Sequence, residues 1–231
     1  MSNINKILNL FLDLYQTIVI SLIDKNKKFS YIYKTKYWKG SGDGSLSGAG
    51  SNEITTSKIK RELQIFFKEK NIQSILDIPC GDWKWMSTMD FTKINYMGSD
   101  VVKEMIDHNN KRYSSDNIKF KVQSLIDDNL DKADMIIVRD LLVHLDTSDI
   151  LKCLKNIKKH NFKYIAITNY PMLKVQHQDK FIGDKWRPIN LSGEPFNLKQ
   201  PDYNLDDTSI VQDHDIDKYL SVWTNENFIE N

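Results

Sequence analysis

The chain is poor in cysteine, proline and glycine and carries no surplus of charge of either sign. Its 231 residues hold two cysteines, Cys80 and Cys153, far apart and without C-x-x-C spacing. That spacing points to neither a disulfide framework nor a zinc site, so no metal is expected, and a reducing, cytoplasmic setting is. Lysine and arginine number 32 against 31 acids, a net charge of +1. The basic excess of a nucleic-acid enzyme is missing, which argues against a large nucleic-acid partner. The longest apolar stretch, residues 3–24, is interrupted in its middle by Asp13, so it does not read as a membrane span. Nor does it have the charged start and small-residue cleavage site of a signal peptide. The dinucleotide pattern G-x-G-x-x-G is also lacking, which speaks against a pyrophosphate-bearing cofactor. The length fits one α/β domain with a substantial core.

What is present begins with residues 3–24. Asn9, Asp13, Gln16, Thr17 and Ser21 form a narrow polar stripe at helical spacing, opposite Ile4, Leu8, Phe11, Tyr15, Ile18 and Leu22. Such a helix packs on the protein or on a second copy in a homodimer, or makes peripheral contact with a membrane surface. Residues 25–39 interleave lysines with Phe29, Tyr31, Tyr33, Tyr37 and Trp38. This reads as a solvated connecting segment with some core-facing aromatics, or as a grip for a phosphate-bearing or ring-shaped substrate. Residues 1–39 are therefore set apart from a main domain over 40–231. Five of the nine glycines fall in residues 40–51, a linker or a lid just ahead of the central motif.

That motif is Ser74-Ile75-Leu76-Asp77-Ile78-Pro79-Cys80-Gly81-Asp82-Trp83. A short β-rich apolar run ends in an acid, a turn and a glycine, and an amphipathic segment follows. Asn95–Asp100 reads as a second strand ending in an acid, 23 residues after Asp77. A carboxylate at about that distance is placed to take ribose hydroxyls in nucleoside-binding α/β folds. Strands are expected at 74–78, 95–100, 118–122, 134–138 and 163–168, with a closing strand at 218–223. Helices are expected at 57–70, 84–90, 102–113, 140–145 and 147–160. This alternation predicts an α/β fold, a mostly parallel sheet with helices on both faces. Regularity stops at Pro171, and residues 171–210 read as a long ordered insertion after the fifth strand that builds an acceptor pocket.

Leu76–Met86 (LDIPCGDWKWM), Tyr96–Asp100 (YMGSD) and Val138–Leu145 (VRDLLVHL) resemble motifs of class I S-adenosylmethionine (SAM)-dependent methyltransferases. They are most similar to a sub-group with a D-x-P-C-G-D-x-x-W-M first motif, and the resemblance spans about residues 40–225. It implies a Rossmann-like fold, SAM as cofactor, and methyl transfer to a small-molecule hydroxyl or amino acceptor, with a sugar or glycan precursor as the leading guess. The alternatives are a non-catalytic SAM-binding partner or regulator subunit, or an enzyme acting on protein or nucleic acid. The cofactor would be held by Asp77, Pro79, Cys80, Gly81, Trp83 and Asp100, with Arg139 nearby. Pro79 and Trp83 stand where the commoner loop has glycines. Many methyltransferases place an acid after the third strand, where this chain has Ser124, so the adenine would meet Ser124 or the backbone at Leu125.

Acceptor chemistry belongs beyond the carboxyl ends of the strands. Asp140 and His144 follow the fourth strand at i, i+4 spacing, one helix face if the segment is helical. Asp140 would then orient the imidazole and His144 take a proton; alternatively Asp140 caps the helix and His144 is a packed, hydrogen-bonded side chain. Arg139 suits an anion clamp or an ion pair with Asp140. Thr168, Asn169, Arg187 and Asn190 are candidates for contact with the acceptor.

Overall fold

The computed structural model describes residues 11, 15, 18–20, 22–23, 25–38, 45–174, 186–208 and 217–229. Most of the stretch 3–24, including its polar stripe, lies outside these, as do residues 40–44 and parts of the 171–210 insertion. Phe11, Tyr15, Ile18 and Leu22 are helical and exposed, while Ile20 is buried.

The strands are β1 (Ser74–Asp77), β2 (Asn95–Asp100), β3 (Ile118–Val122), β4 (Met135–Val138), β5 (Tyr164–Asn169), β6 (Tyr203–Asp206) and β7 (Tyr219–Thr224). They form one sheet in the order β3-β2-β1-β4-β5-β7-β6. Strands β1 to β5 run parallel, and β7 enters antiparallel between β5 and β6. The helices are α1 (Lys25–Thr35), α2 (Glu53–Glu69), α3 (Lys103–Tyr113), α4 (Thr147–Ile157) and α5 (Asn225–Ile229).

Strand alternation sorts the apolar residues onto two faces. Ile75, Met135, Ile137 and Ala166 pack beneath Ile59, Leu63, Phe66 and Phe67 of α2. Leu76, Ile136, Val138, Ile165 and Ile167 meet Ile150, Cys153, Leu154 and Ile157 of α4 on the other face. Both faces are covered, as a parallel sheet requires. Asn52 begins α2 by accepting the Thr55 N–H at 2.8 Å, and Asp146 begins α4 by accepting that of Asp149 at 2.8 Å.

Three expectations fail locally. No α-helix forms over 84–90: the segment after Trp83 is a turn, with one 3₁₀ turn at Met86–Thr88. The 140–145 helix is likewise a 3₁₀ turn, Leu142–His144, with Asp140 outside it at φ 55°. In both, a left-handed residue at the start, Trp83 or Asp140, breaks the helical path before a full α turn can form. Strand β6 lies inside the stretch taken as irregular; Leu205 alone among its four residues is buried, so it lacks an apolar signal.

Candidate active site

The strand order reverses between β1 and β4, and at their carboxyl ends lies a cavity of about 570 Å³. That is an ordinary size and place for a small-molecule site. Asp77, Pro79, Cys80, Gly81, Asp100, Ser124, Leu125, Arg139, Asp140 and His144 all line it.

Asp100 ends β2 with its carboxylate buried. Its Oδ2 accepts the Gly81 N–H at 3.2 Å and its Oδ1 the Val102 N–H at 3.0 Å. Burial raises its pKa to about 6, against these two amide donors. Asp77, one strand over, accepts a short hydrogen bond from the Tyr96 hydroxyl. Burial carries its pKa to about 7, opposed by Tyr96 and Arg139.

Gly81 adopts φ 54°. A Cβ there would collide with the Ser47 hydroxyl, so the room left by its missing side chain is taken by the chain's own Ser/Gly-rich segment. Ser47 Oγ accepts the Asp82 N–H at 3.0 Å and shares a hydrogen bond with the Tyr33 hydroxyl at 3.1 Å. Asp82 Oδ2 accepts from Ser45 Oγ at 2.9 Å and from the Leu46 N–H at 2.7 Å. Residues 45–51 are thereby strapped over the first loop, and Ser47–Ser51 form part of the cavity wall. Gly81→Ala is expected to cost about 1–3 kcal/mol through left-handed strain plus the clash with Ser47, read by urea unfolding.

Trp83 does not line the cavity. It too sits at φ 54°, the glycine-like conformation that its motif position demands. Its ring is buried among Phe91, Tyr96, Tyr113 and Phe120, with centroids 5.1–5.9 Å away. This aromatic packing offsets the backbone strain, so the residue is core and not cofactor wall. Trp85 does line the cavity, with the Arg139 guanidinium 5.1 Å above its ring.

Arg139, Asp140, Asp207 and Lys218 form a buried network at the end of β4. Arg139 donates from Nε and Nη2 to the two Asp207 oxygens, at 3.0 and 2.9 Å. Lys218 Nζ lies 2.7 Å from Asp140 and 3.0 Å from Asp207. Burial alone would raise the Asp140 pKa, but Lys218 and Arg139 outweigh it and hold the carboxyl far below its usual range. Asp140 also lies in a left-handed conformation, its N–H donating to Thr168 Oγ1 at 2.8 Å. The shared helix face expected for Asp140 and His144 is not formed, although the two remain near enough for the His144 charge to lower the Asp140 pKa along with the cations. Asp140 is held by cations, and His144 lies against Trp38 with ring centroids 4.9 Å apart.

The four expected acceptor contacts are not brought to the cavity wall. Thr168 is buried against Asp140. Asn169 donates to Ser221 Oγ at 3.1 Å and accepts the Leu191 N–H at 2.9 Å, fastening β5 to β7 and to the insertion. Arg187 is buried and donates to Leu145 O at 3.3 Å and to Thr147 Oγ1 at 3.4 Å. Asn190 donates to the carbonyls of Pro171 and Leu173 at 3.2 and 3.1 Å. These side chains bind the insertion to the domain. Among the described residues of 171–208, Trp186 is what the insertion contributes to the wall.

The remaining wall comes from residues 25–38. Lys28, Phe29 and Tyr33 of α1, with Trp38 just beyond it, roof the cavity. The Trp38 ring stands 6.0 Å from each of the Phe29 and Tyr33 rings. Their spacing was visible in the sequence, but two readings were open there, and the structure takes these aromatics to the site.

No family model and no curated protein matches the chain. Among solved structures it is similar to the PH0226 protein of Pyrococcus horikoshii OT3, at 14% identity over 76% of this chain and 93% of that one, TM-score 0.54. It is also similar to PigF with S-adenosylhomocysteine (SAH), at 11% identity over 73% of this chain and 55% of that one, TM-score 0.53. A bacterial Hen1 methyltransferase domain gives 16% identity and a TM-score of only 0.44, the chain covering 66% of that domain's length. The first two likenesses establish the fold: a Rossmann-like, mostly parallel sheet of the kind expected from the sequence.

Proposed function

We propose that the protein is a SAM-dependent methyltransferase acting on a small-molecule hydroxyl or amino acceptor. The observation that carries this is Asp100, a buried carboxylate at the end of β2 beside the point where strand order reverses. Its oxygens accept the Gly81 and Val102 N–H groups and still have acceptor capacity for ribose hydroxyls. The wall on either side suits the rest of the ligand. Val101 and Gln123–Asp127, with buried Leu125, form a partly apolar strip for an adenine. Asp77 and Pro79–Gly81 would hold the amino-acid tail. SAM supplies a methyl group already activated by a sulfonium and leaves as the neutral thioether.

The chain then needs to hold the acceptor in line and take its proton. His144 is the imidazole on the acceptor side of the wall, and Arg139, Asp140 and Lys218 fix the floor beneath it. Trp38, Tyr170 and Trp186 offer flat apolar surfaces; the last two are stacked at 6.1 Å. Such surfaces favour a ring with an apolar face, which is the support for a sugar or glycan precursor as acceptor.

Calorimetry tests the reading. Wild type should bind SAH and not NAD, and Asp100→Ala should weaken SAH by about 10–100-fold, the worth of a charge-assisted hydrogen bond. The ribose is held best by the ionised carboxylate, so SAH affinity should fall as pH drops through about 6. No SAH binding by folded wild type would overturn the assignment.

A further inference from the structure

We infer that the acceptor is an anion, carrying a carboxylate or phosphate that the Lys28 ammonium recognises; this rests on the methyltransferase reading above. Lys28 is 8% exposed and lines the cavity. Among the described residues, no carboxylate or other acceptor pairs with its ammonium. The other buried charges of the same wall are all paired. Asp77 has Tyr96, Asp100 has two backbone amides, Asp149 has Lys152, and Arg139 and Lys218 share Asp140 and Asp207. The ammonium opens onto the cavity with no counter-charge among the described residues, and an unpaired cation in a cavity wall is placed to meet an anion that a ligand brings.

Position along α1 indicates which ligand. Tyr33, near the end of the helix, touches Ser47 and through it the Gly81 loop, where the amino-acid tail of the cofactor belongs. Lys28 lies five residues earlier, about 7.5 Å of helical rise away. It is next to Phe29, which packs against the cluster containing Val143, Leu145 and Tyr170. Phe29, Trp38 and His144 run as a chain of ring contacts at 6.0 and 4.9 Å. Lys28 thus stands at one end of the aromatic wall that has the candidate base at the other. A compact ring with an anionic substituent spans that interval, its charge on Lys28 and its hydroxyl or amine towards His144.

The test uses full-length protein saturated with SAH, titrated with benzoate and phenyl phosphate as anionic probes and benzyl alcohol as the neutral one. Wild type should bind at least one anionic probe clearly more tightly than benzyl alcohol. Lys28→Met, which keeps the apolar stem, should remove that preference by about ten- to a hundredfold, and Lys28→Arg should retain much of it. SAH affinity should be the same in all three proteins, and thermal stability of the Met variant should not fall, because the apolar stem is kept and no ion pair is lost. Equal binding of charged and neutral probes by SAH-loaded wild type would overturn the acceptor assignment and leave the methyltransferase reading intact. Weaker SAH binding by Lys28→Met, with 5′-methylthioadenosine (which has no carboxylate) unaffected, would also overturn it, by placing Lys28 on the cofactor's tail. Failure of wild type to bind SAH at all would overturn both.

Discussion

Replacing Asp207 with alanine is expected to destabilise the protein by about 3–5 kcal/mol, the cost of leaving a buried cation without its partner. Asp207 is fully buried and binds the Arg139 fork through both oxygens, with Lys218 at 3.0 Å. Its burial partners pull strongly: although burial would lower the Arg139 pKa, Asp207 and Asp140 outweigh it and raise it. With Asp207 gone, two largely buried cations would face Asp140 alone. The loss is a large fraction of the stability of an ordinary domain. Chemical denaturation measures it directly. Asp207→Asn, which keeps the hydrogen-bonding shape but not the charge, should fall between wild type and alanine. A loss under 1 kcal/mol for Asp207→Ala would mean the network is hydrated or able to rearrange.

The carboxyls on the cavity floor act on stability in the opposite sense. The folded-state pKa values of Asp77 and Asp100, about 7 and about 6, lie above the ordinary carboxyl value. Between about pH 4 and 7 the native state therefore binds more protons than the unfolded chain, so this pair makes the ligand-free protein more stable as pH falls through that window. Asp140, held low by Lys218 and Arg139, contributes stability above the ordinary carboxyl pKa, which is lost only in stronger acid. Asp100, which under the proposed reading would hold a ribose best when ionised, thus weakens the empty fold when ionised, a tension typical of preorganised sites.

Why some of this was legible in the sequence and some was not follows from the range of the interactions involved. The five parallel strands announced themselves because each is a short segment with apolar or alternating apolar residues between turn signals, and the signal is local. Asp77, Gly81 and Asp100 could be placed at the cavity because their positions are tied to strand ends at a fixed spacing. Trp83 was placed wrongly because its left-handed backbone looks like a ligand-binding glycine position, while its destination depends on rings up to 37 residues away, at Phe120. Thr168, Asn169, Arg187 and Asn190 occupy plausible places beyond a strand or in the insertion, but their partners are backbone groups, hydroxyls and the Asp140 carboxylate, which no spacing reveals. Lys28, Phe29 and Trp38 were noticed without being assigned to the site, since only the folding back of α1 over the sheet takes them there. Asp207 and Lys218, which complete the network around Arg139, carried no motif at all.

His144→Ala is expected to lower kcat by about 10²–10⁴-fold, the usual worth of a positioned general base, with the acceptor in hand and SAM saturating. The imidazole lines the cavity just beyond β4, and its position comes from two short-range features: the 3₁₀ turn Leu142–His144 and the ring of Trp38 at 4.9 Å. The Asp140 carboxylate is engaged mainly by Lys218 and Arg139 and more weakly by the His144 charge, while Trp38 braces the imidazole ring. That division separates the two substitutions. Trp38→Ala should impair kcat by loosening the imidazole while leaving the network intact, whereas Asp140→Asn should act mainly by releasing Lys218 and Arg139, visible as a lower melting temperature. SAH affinity should stay unchanged in His144→Ala, because the ring faces the acceptor. With a neutral imidazole required to take the proton, the wild-type rate should rise with pH and level off once the imidazole is deprotonated. A base that is lost cannot titrate, so the variant's residual rate should be flat across the same range. A His144→Ala enzyme with wild-type turnover and an unchanged pH profile would remove the base from the mechanism and leave alignment of the acceptor as the whole of catalysis.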